Sequence, residues 1–193
     1  MSTKSPSQQG KPPLPGKRRD PKRIAEMIRV DHAGEYAAVG IYRGQHAVFK
    51  DLPHKAKIAD QLKHMEDEEQ DHLDQFNALL MAHDTRPTAM VPVWNIASHV
   101  LGVSTALMGE KAAHACTEAV ETVIEEHYAD QITELRAMGE DELADRFTQF
   151  REDELAHRDL AISEGAKDAP GYPLLSSVIK AGCRFAIKVS ERV

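Results

Sequence analysis

Four long stretches of this chain carry apolar residues at helical spacing, and each sets a glutamate in the middle of its apolar face. In the first the stripe is Ile24, Ile28, Ala38, Val39 and Tyr42, with Glu35 inside it and Asp31 one turn before. In the second it is Ile58, Leu62, Met65, Leu73, Phe76 and Leu80, enclosing Glu69 and His72. Glu121 shares a face with Ile124, Tyr128, Ile132 and Leu135, while Glu154 and His157 lie among Leu143, Phe147, Phe150 and Ala161. Side chains three or four residues apart stand on one side of a helix, so these carboxylates are aimed at a core rather than at water. A buried unpaired carboxylate is costly, and four that face one another also repel. Such a core requires cations.

Two divalent ions bring the positive charge that four carboxylates need. Glu-x-x-His places an oxygen and a nitrogen donor on one helical face, within reach of one ion. Oxygen-rich sites with one imidazole per metal and no thiolate favour iron or manganese over structural zinc or copper. With 17 Glu and 10 His in the chain, roughly one Glu-x-x-His arises by chance, so the motif alone says little. The ordering says more: Glu35 precedes Glu69-x-x-His72 by 34 residues, and Glu121 precedes Glu154-x-x-His157 by 33. The chain reads as two similar helical hairpins with a repeated ligand set. One glutamate from each of two helices and Glu-x-x-His from each of the other two is the donor pattern of ferritin-like dinuclear carboxylate bundles. The candidate ligands are therefore Glu35, Glu69, His72, Glu121, Glu154 and His157. His64, His114 and His127 have no comparable partner and read as core or surface histidines. Glu66, Glu68 and Glu125 read as members of solvated faces.

Punctuation along the chain agrees with a bundle. Asp20 followed by Pro21 is a strong helix start, and the pattern it opens runs to about Lys50, where Asp51-Leu52-Pro53 interrupts it. A second helix covers about His54 to His83. A third covers roughly Val93 to Met138, whole or in two pieces around Gly109, with Gly139 placed to stop it. A fourth spans about Glu140 to Glu164, and a fifth starts near Leu174. No stretch alternates with period two for long enough to be a strand, so the expected fold is all-α, a four-helix bundle with additional helices. Residues 1–20 are expected to be a disordered basic tail and residues 21–193 one domain. The tail lacks the apolar segment of an export signal, and Pro12, Pro13 and Pro15 oppose the amphipathic helix of an organellar presequence.

A net charge of -7 with 5% aromatic residues argues against nucleic acid as a partner. Cys116 and Cys183 form no CxxC pair, which fits a reducing cytoplasm. Residues 87–109 contain no Asp, Glu, Lys or Arg, yet Pro87, Pro92, Asn95 and His99 favour an interfacial or packed helix over a spanning one. Near the end, Lys180, Arg184, Lys188 and Arg192 run beside Val178, Phe185, Ala186 and Val189. That is the layout of a helix on anionic lipid, and equally of a helix capping a bundle with an ordinary solvated face.

The stretches "RVDHAGEYAAVGIYRGQ" (29–45), "EEQDHLDQFNALL" (68–80), "ACTEAVETVIEEHYADQI" (115–132), "FREDELAHRDLA" (150–161) and "AGCRFAIKVSERV" (181–193) closely resemble the demethoxyubiquinone hydroxylase family of ubiquinone biosynthesis. The resemblance covers nearly everything after Pro21. It departs at Ala37, where the family pattern has glycine, and over residues 51–60. It implies a ferritin-like di-iron monooxygenase that uses dioxygen to hydroxylate a polyprenylated demethoxyquinol, with two iron ions and NADH as electron source. The family's ligands fall on the six residues found above, and its His-Tyr pair near the substrate falls on His127 and Tyr128. The resemblance further implies a bacterial enzyme, peripheral on the cytoplasmic face of the inner membrane. A lipid-binding partner, a biosynthetic complex and a homo-oligomer are all compatible with it. No glycine-rich dinucleotide fingerprint is present, so an NADH site here is not of the Rossmann kind. The rival readings are another ferritin-like di-iron protein, a peroxidase or an iron store, and a membrane-associated helical scaffold stabilised by its metals.

Overall fold

Asp20 opens the first helix. Its Oδ1 accepts from the backbone N–H groups of Lys22 (3.0 Å) and Arg23 (3.2 Å), and Pro21 takes the first helical position. The computed structural model describes residues 19–193, so residues 1–18 of the expected basic tail lie outside the described residues. Helix α1 (Pro21–Phe49) leads through a 3-10 turn at Pro53–Lys55 into α2 (Ala56–Ala82). Then come α3 (Val91–Leu107), α4 (Glu110–Met138) and α5 (Asp141–Ser163). A second 3-10 turn at Ala166–Asp168 precedes α6 (Tyr172–Ser190). There is no strand among the described residues.

The apolar run between Val93 and Met138 is two helices rather than one. The break falls at Gly109, whose φ of +109° is a conformation that a side chain would oppose. Gly139, at φ +78°, ends α4 in the left-handed conformation, its N–H bonding back to the last turn.

The all-α fold is a ferritin-like four-helix bundle. α1 and α2 pack as one hairpin and α4 and α5 as a second, while α3 lies along α1 and α6 along α4. The hairpins are tied by ion pairs such as Arg23 with Glu134 (3.1 Å) and Lys57 with Glu164 (2.7 Å). Each stripe read from the sequence turns inward, although Ile124 and Ile132 are only partly buried. The interior holds two principal apolar clusters. One gathers Ile24, Ile28, Phe76, Tyr128, Phe147 and Phe150, and the other Tyr42, Phe49, Ile58, Leu62 and Met65. Glu35, Glu69, His72, Glu121, Glu154 and His157 occupy the helical turns between them.

α3 approaches α1 closely because glycines face the contact from both helices. A methyl group added at Gly44 would come 2.6 Å from the His99 carbonyl oxygen, and one at Gly102 would overlap the carbonyl of Ile41. Gly102→Ala must therefore push the helices apart and is expected to cost about 2 kcal/mol. Gly182→Ala, where an added methyl meets nothing within 4 Å, is expected to be neutral or stabilising by up to ~1 kcal/mol. Urea unfolding of the two variants checks both signs.

Candidate metal centre

The six candidate ligands converge at mid-bundle. All are buried: Glu69 is 0% exposed, Glu121 and Glu154 1%, and Glu35, His72 and His157 5% or less. Glu35, Glu69, His72 and Glu154 each offer one ligand atom within 4.8 Å of the others, and so do Glu69, Glu121, Glu154 and His157. Glu69 and Glu154 belong to both groups. The arrangement is thus two adjacent sites sharing two carboxylates, with Glu35 and His72 on one side and Glu121 and His157 on the other.

The donor chemistry fits a pair of divalent ions. Both Glu69 oxygens, Glu121 Oε2, Glu154 Oε2, His72 Nδ1 and His157 Nδ1 are buried without a hydrogen-bond partner among the described residues. Buried polar atoms are normally paired, and these orphaned atoms belong to the two groups that could hold ions. His157 Nδ1 comes within 3.1 Å of Glu69 Oε1 without the alignment of a hydrogen bond, and His72 Nδ1 stands 3.6 Å from both Glu35 Oε2 and Glu154 Oε1. Burial, then repulsion from Glu154 and Glu69, pushes the Glu121 carboxyl well above the ordinary range. Burial alone would lower both imidazoles, but the facing carboxylates outweigh it. His72 is raised by Glu154, Glu35 and Glu69, and His157 is pushed up to about 12 by Glu154 and Glu69. All three shifts, on Glu121, His72 and His157, favour the protonated form and so lessen the repulsion among the carboxylates.

Two tyrosines fasten the outer glutamates across the hairpins. Tyr42 of α1 donates to Glu121 of α4, and Tyr128 of α4 donates to Glu35 of α1. Each tyrosine lies seven residues beyond the glutamate of its own helix, so the exchange follows the internal repeat. Burial and the neighbouring carboxylates raise both phenols, which keeps them protonated as donors.

The outer nitrogens of the histidines show what the sequence reading missed. His72 Nε2 is 3.1 Å from Asp153 Oδ2, and His157 Nε2 is 3.0 Å from Glu68 Oε2. A carboxylate that accepts a hydrogen bond from Nε2–H leaves Nδ1 inward as the free metal-donor atom and makes it more basic. Glu68 is therefore no solvated-face residue. The available signal was its place directly before Glu69, matched by Asp153 directly before Glu154. Glu66 and Glu125 are also corrected: Glu66 is buried beside Arg43 (3.0 Å), and Glu125 holds Arg151 (2.9 Å) and Arg158 (3.2 Å). His127 also has a partner that was not foreseen, Asp31, whose Oδ1 is 3.3 Å from Nε2. His64 stays at the surface and His114 is a core residue.

A cavity of ≈ 380 Å³ lies beside the centre, between α1, α3, α4 and α6. Most of its wall is apolar, including Ile41, Leu101, Ile124 and Ile179, while Asp31, Glu35, His127 and Tyr128 form a polar end. Val178 and Phe185 carry the cavity to the surface, where they are 61% and 63% exposed. Phe147 and Phe150 are not part of this wall. They stack with Phe76 and Tyr128 on the other flank of the centre.

α3 buries Ser98, Gly102, Thr105 and Ala106 and exposes Val93, Ile96, Val100 and Leu107. No helix among the described residues is long and apolar enough to cross a membrane. The basic strip read along the last helix is partly spent inside the protein. Lys180 pairs with buried Glu118 (3.1 Å) and Arg184 with Glu126 (3.0 Å), which fastens α6 to α4.

Comparison with known proteins agrees with this architecture. The model of the family described as ubiquinone biosynthesis protein COQ7 matches residues 22–190. The 3-demethoxyubiquinol 3-hydroxylase of Rhodospirillum rubrum is 46% identical over 182 residues, covering 93% of this chain and 83% of that protein. The NADPH-dependent 3-demethoxyubiquinone 3-hydroxylase, mitochondrial, of Homo sapiens is 44% identical, covering 88% and 78%. The 5-demethoxyubiquinone hydroxylase, mitochondrial, of Saccharomyces cerevisiae is 39% identical, covering 88% and 78%.

A histidine that binds metal through Nδ1 must first lose the proton there. Since both imidazoles are raised in the metal-free protein, loading with Fe(II) or Mn(II) near pH 7 is expected to release roughly two protons and to tighten as pH rises. Calorimetric titration in two buffers of different ionisation enthalpy measures the release. Equal heats in both buffers would contradict it.

Proposed function

The chain belongs to the ubiquinone biosynthesis protein COQ7 family and is a hydroxylase of that biosynthesis, and on this premise we propose how its residues perform the reaction. The substrate is a polyprenylated demethoxyubiquinol, and dioxygen supplies the oxygen atom added to its ring. Glu35, Glu69, His72, Glu121, Glu154 and His157 would hold two iron ions. The observation that carries the reading is the apolar cavity ending at Glu35 and Tyr128. It lies in the size range of small-molecule sites and brings a ring beside the metal ligands while its tail leaves past Phe185.

When bound, the iron pair supplies the activation of dioxygen that no amino-acid side chain can provide. The residues of the chain do the rest. The O–H groups of Tyr42 and Tyr128 hold Glu121 and Glu35 in fixed orientations. Asp153 and Glu68 fix the ring planes of His72 and His157. The aromatic cluster of Phe76, Phe147 and Phe150 excludes water on one flank, and a quinol excludes it from the cavity on the other. His127 and Tyr128 stand where the ring would lie. The family assignment sets aside a peroxidase, an iron store or an inert scaffold.

Electrons come from a reduced nicotinamide nucleotide. The sequence reading favours NADH, and the human relative is named for NADPH. Exposed Val178 and Phe185 of α6 line the outer part of the cavity, as a substrate with an apolar tail requires, and α3 exposes Ile96, Val100 and Leu107. They would rest in the lipid of the cytoplasmic face of a bacterial inner membrane as a peripheral attachment. A lipid-binding partner could cover the same mouth.

Glu154→Ala is expected to lower hydroxylation by more than ~100-fold, since even outer partners of metal ligands are worth 10–100-fold. The test is complementation of a bacterial strain blocked at demethoxyubiquinone, with quinones read by mass spectrometry. Failure of well-expressed wild-type protein there would overturn the assignment. Phe185→Asp is expected to weaken flotation with anionic liposomes several-fold while leaving iron content unchanged.

A further inference from the structure

Asp31 is the one buried carboxylate at the cavity that belongs to neither group of candidate ligands. It is 4% exposed, and its Oδ2 has no partner among the described residues. Everything that stabilises its charge converges on Oδ1. Gln131 Nε2 donates to it from 3.0 Å, and His127 Nε2 stands 3.3 Å away. The two donor nitrogens, one helical turn apart on α4, come within 2.9 Å of each other because they share that oxygen. A buried carboxylate so sparsely satisfied is costly unless the imidazole beside it carries a proton.

We propose that Asp31 is a positioning residue for substrate: paired by charge with His127 Nε2 at 3.3 Å, it holds the imidazolium at the polar end of the cavity with Nδ1 left to donate to a ring oxygen of the quinol. This rests on the cavity being the quinol site. Three of the four polar residues at that end are already engaged, because Tyr128 donates to Glu35 and Asp31 accepts from Gln131 and pairs with His127. His127 Nδ1 is the donor that remains. Both residues line the cavity, with the His127 side chain 18% exposed and that of Asp31 1%. Burial lowers the imidazole, yet the hydrogen bond and charge of Asp31 outweigh it and the net shift is upward, with Glu191 adding to the rise and Arg23 opposing it. The pair spans α1 and α4, so the position of the ring is set by the bundle and not by a loop.

Trp94, the single tryptophan of the chain, lines the same cavity and reports occupancy. Quenching of its fluorescence is followed on the metal-loaded protein with a benzoquinone bearing two isoprene units, from pH 6 to pH 9. Wild type is expected to bind with an affinity that falls through an alkaline limb. In Asp31→Asn that limb is expected to move to lower pH, and affinity at neutral pH to drop about 10-fold, as for a lost hydrogen bond to a charged group. Asp31→Glu is expected to restore part of the loss. Under hydroxylation assay the same defect should enter KM more than kcat. Iron content and circular dichroism should match wild type. Unshifted binding and an unshifted limb in Asp31→Asn would overturn the proposal while leaving the quinol site intact. Absence of quenching in wild type would remove the quinol site and the proposal together. If Asp31→Asn does not fold, His127→Gln is read instead: loss of the alkaline limb is expected, and its persistence would overturn the proposal.

Discussion

The mutual repulsion of Glu35, Glu69, Glu121 and Glu154 governs the architecture of this protein. Four carboxylates within one buried layer can be held only if something positive sits among them and rigid walls surround them. The bundle supplies the walls through two apolar clusters on either side of the layer. The repulsion is relieved by ions, or by protons on His72 and His157 together with the raised Glu121 carboxyl, so metal binding at these residues is coupled to proton release.

Around that layer the protein is close to two-fold repeating in its chemistry. Each hairpin contributes a glutamate, a Glu-x-x-His, a tyrosine that reaches the opposite glutamate and an acidic residue that reaches the opposite histidine. The repeat ends at α3 and α6. Around Tyr42 the space is filled by Phe49, Ile58, Leu62 and Met65. Around Tyr128, on the other side of the layer, the bundle opens into the cavity between α1, α3, α4 and α6. One tyrosine is thus enclosed as a clamp, and its counterpart is a clamp that also lines the cavity.

The cavity and the exposed apolar edge are linked by the same two helices. α3 and α6 each bury a narrow strip against the bundle and leave large apolar side chains outside. Glu118, buried and held by Tyr172, Ser176 and Lys180, is the polar pin that fixes α6. Placing the pin at the start of α6 leaves its later turns, with Gly182 and Phe185, to border the mouth.

The sequence alone determined the all-α class, the six residues at the centre and their division into two hairpins. Helical period and burial follow from local spacing, and four glutamates on four apolar faces have few ways to be satisfied. It also fixed the start of α1 at Asp20 and the stop of α4 at Gly139, where local backbone chemistry decides. What it misjudged were residues whose partners lie on another helix. The spacing on α2 places Glu68 on a solvated face beside His64, yet His157, 89 positions away, pairs with it. Nothing near His127 in sequence announces Asp31, which lies on α1. The basic strip of α6 has the layout of a lipid-facing or solvated face, and the ion pairs of Lys180 and Arg184 with Glu118 and Glu126 are remote in sequence. Only the tertiary structure decided these pairings, and the cavity with them. A helical pattern fixes which way a side chain points from its own axis but not what stands opposite it, which depends on how six helices cross.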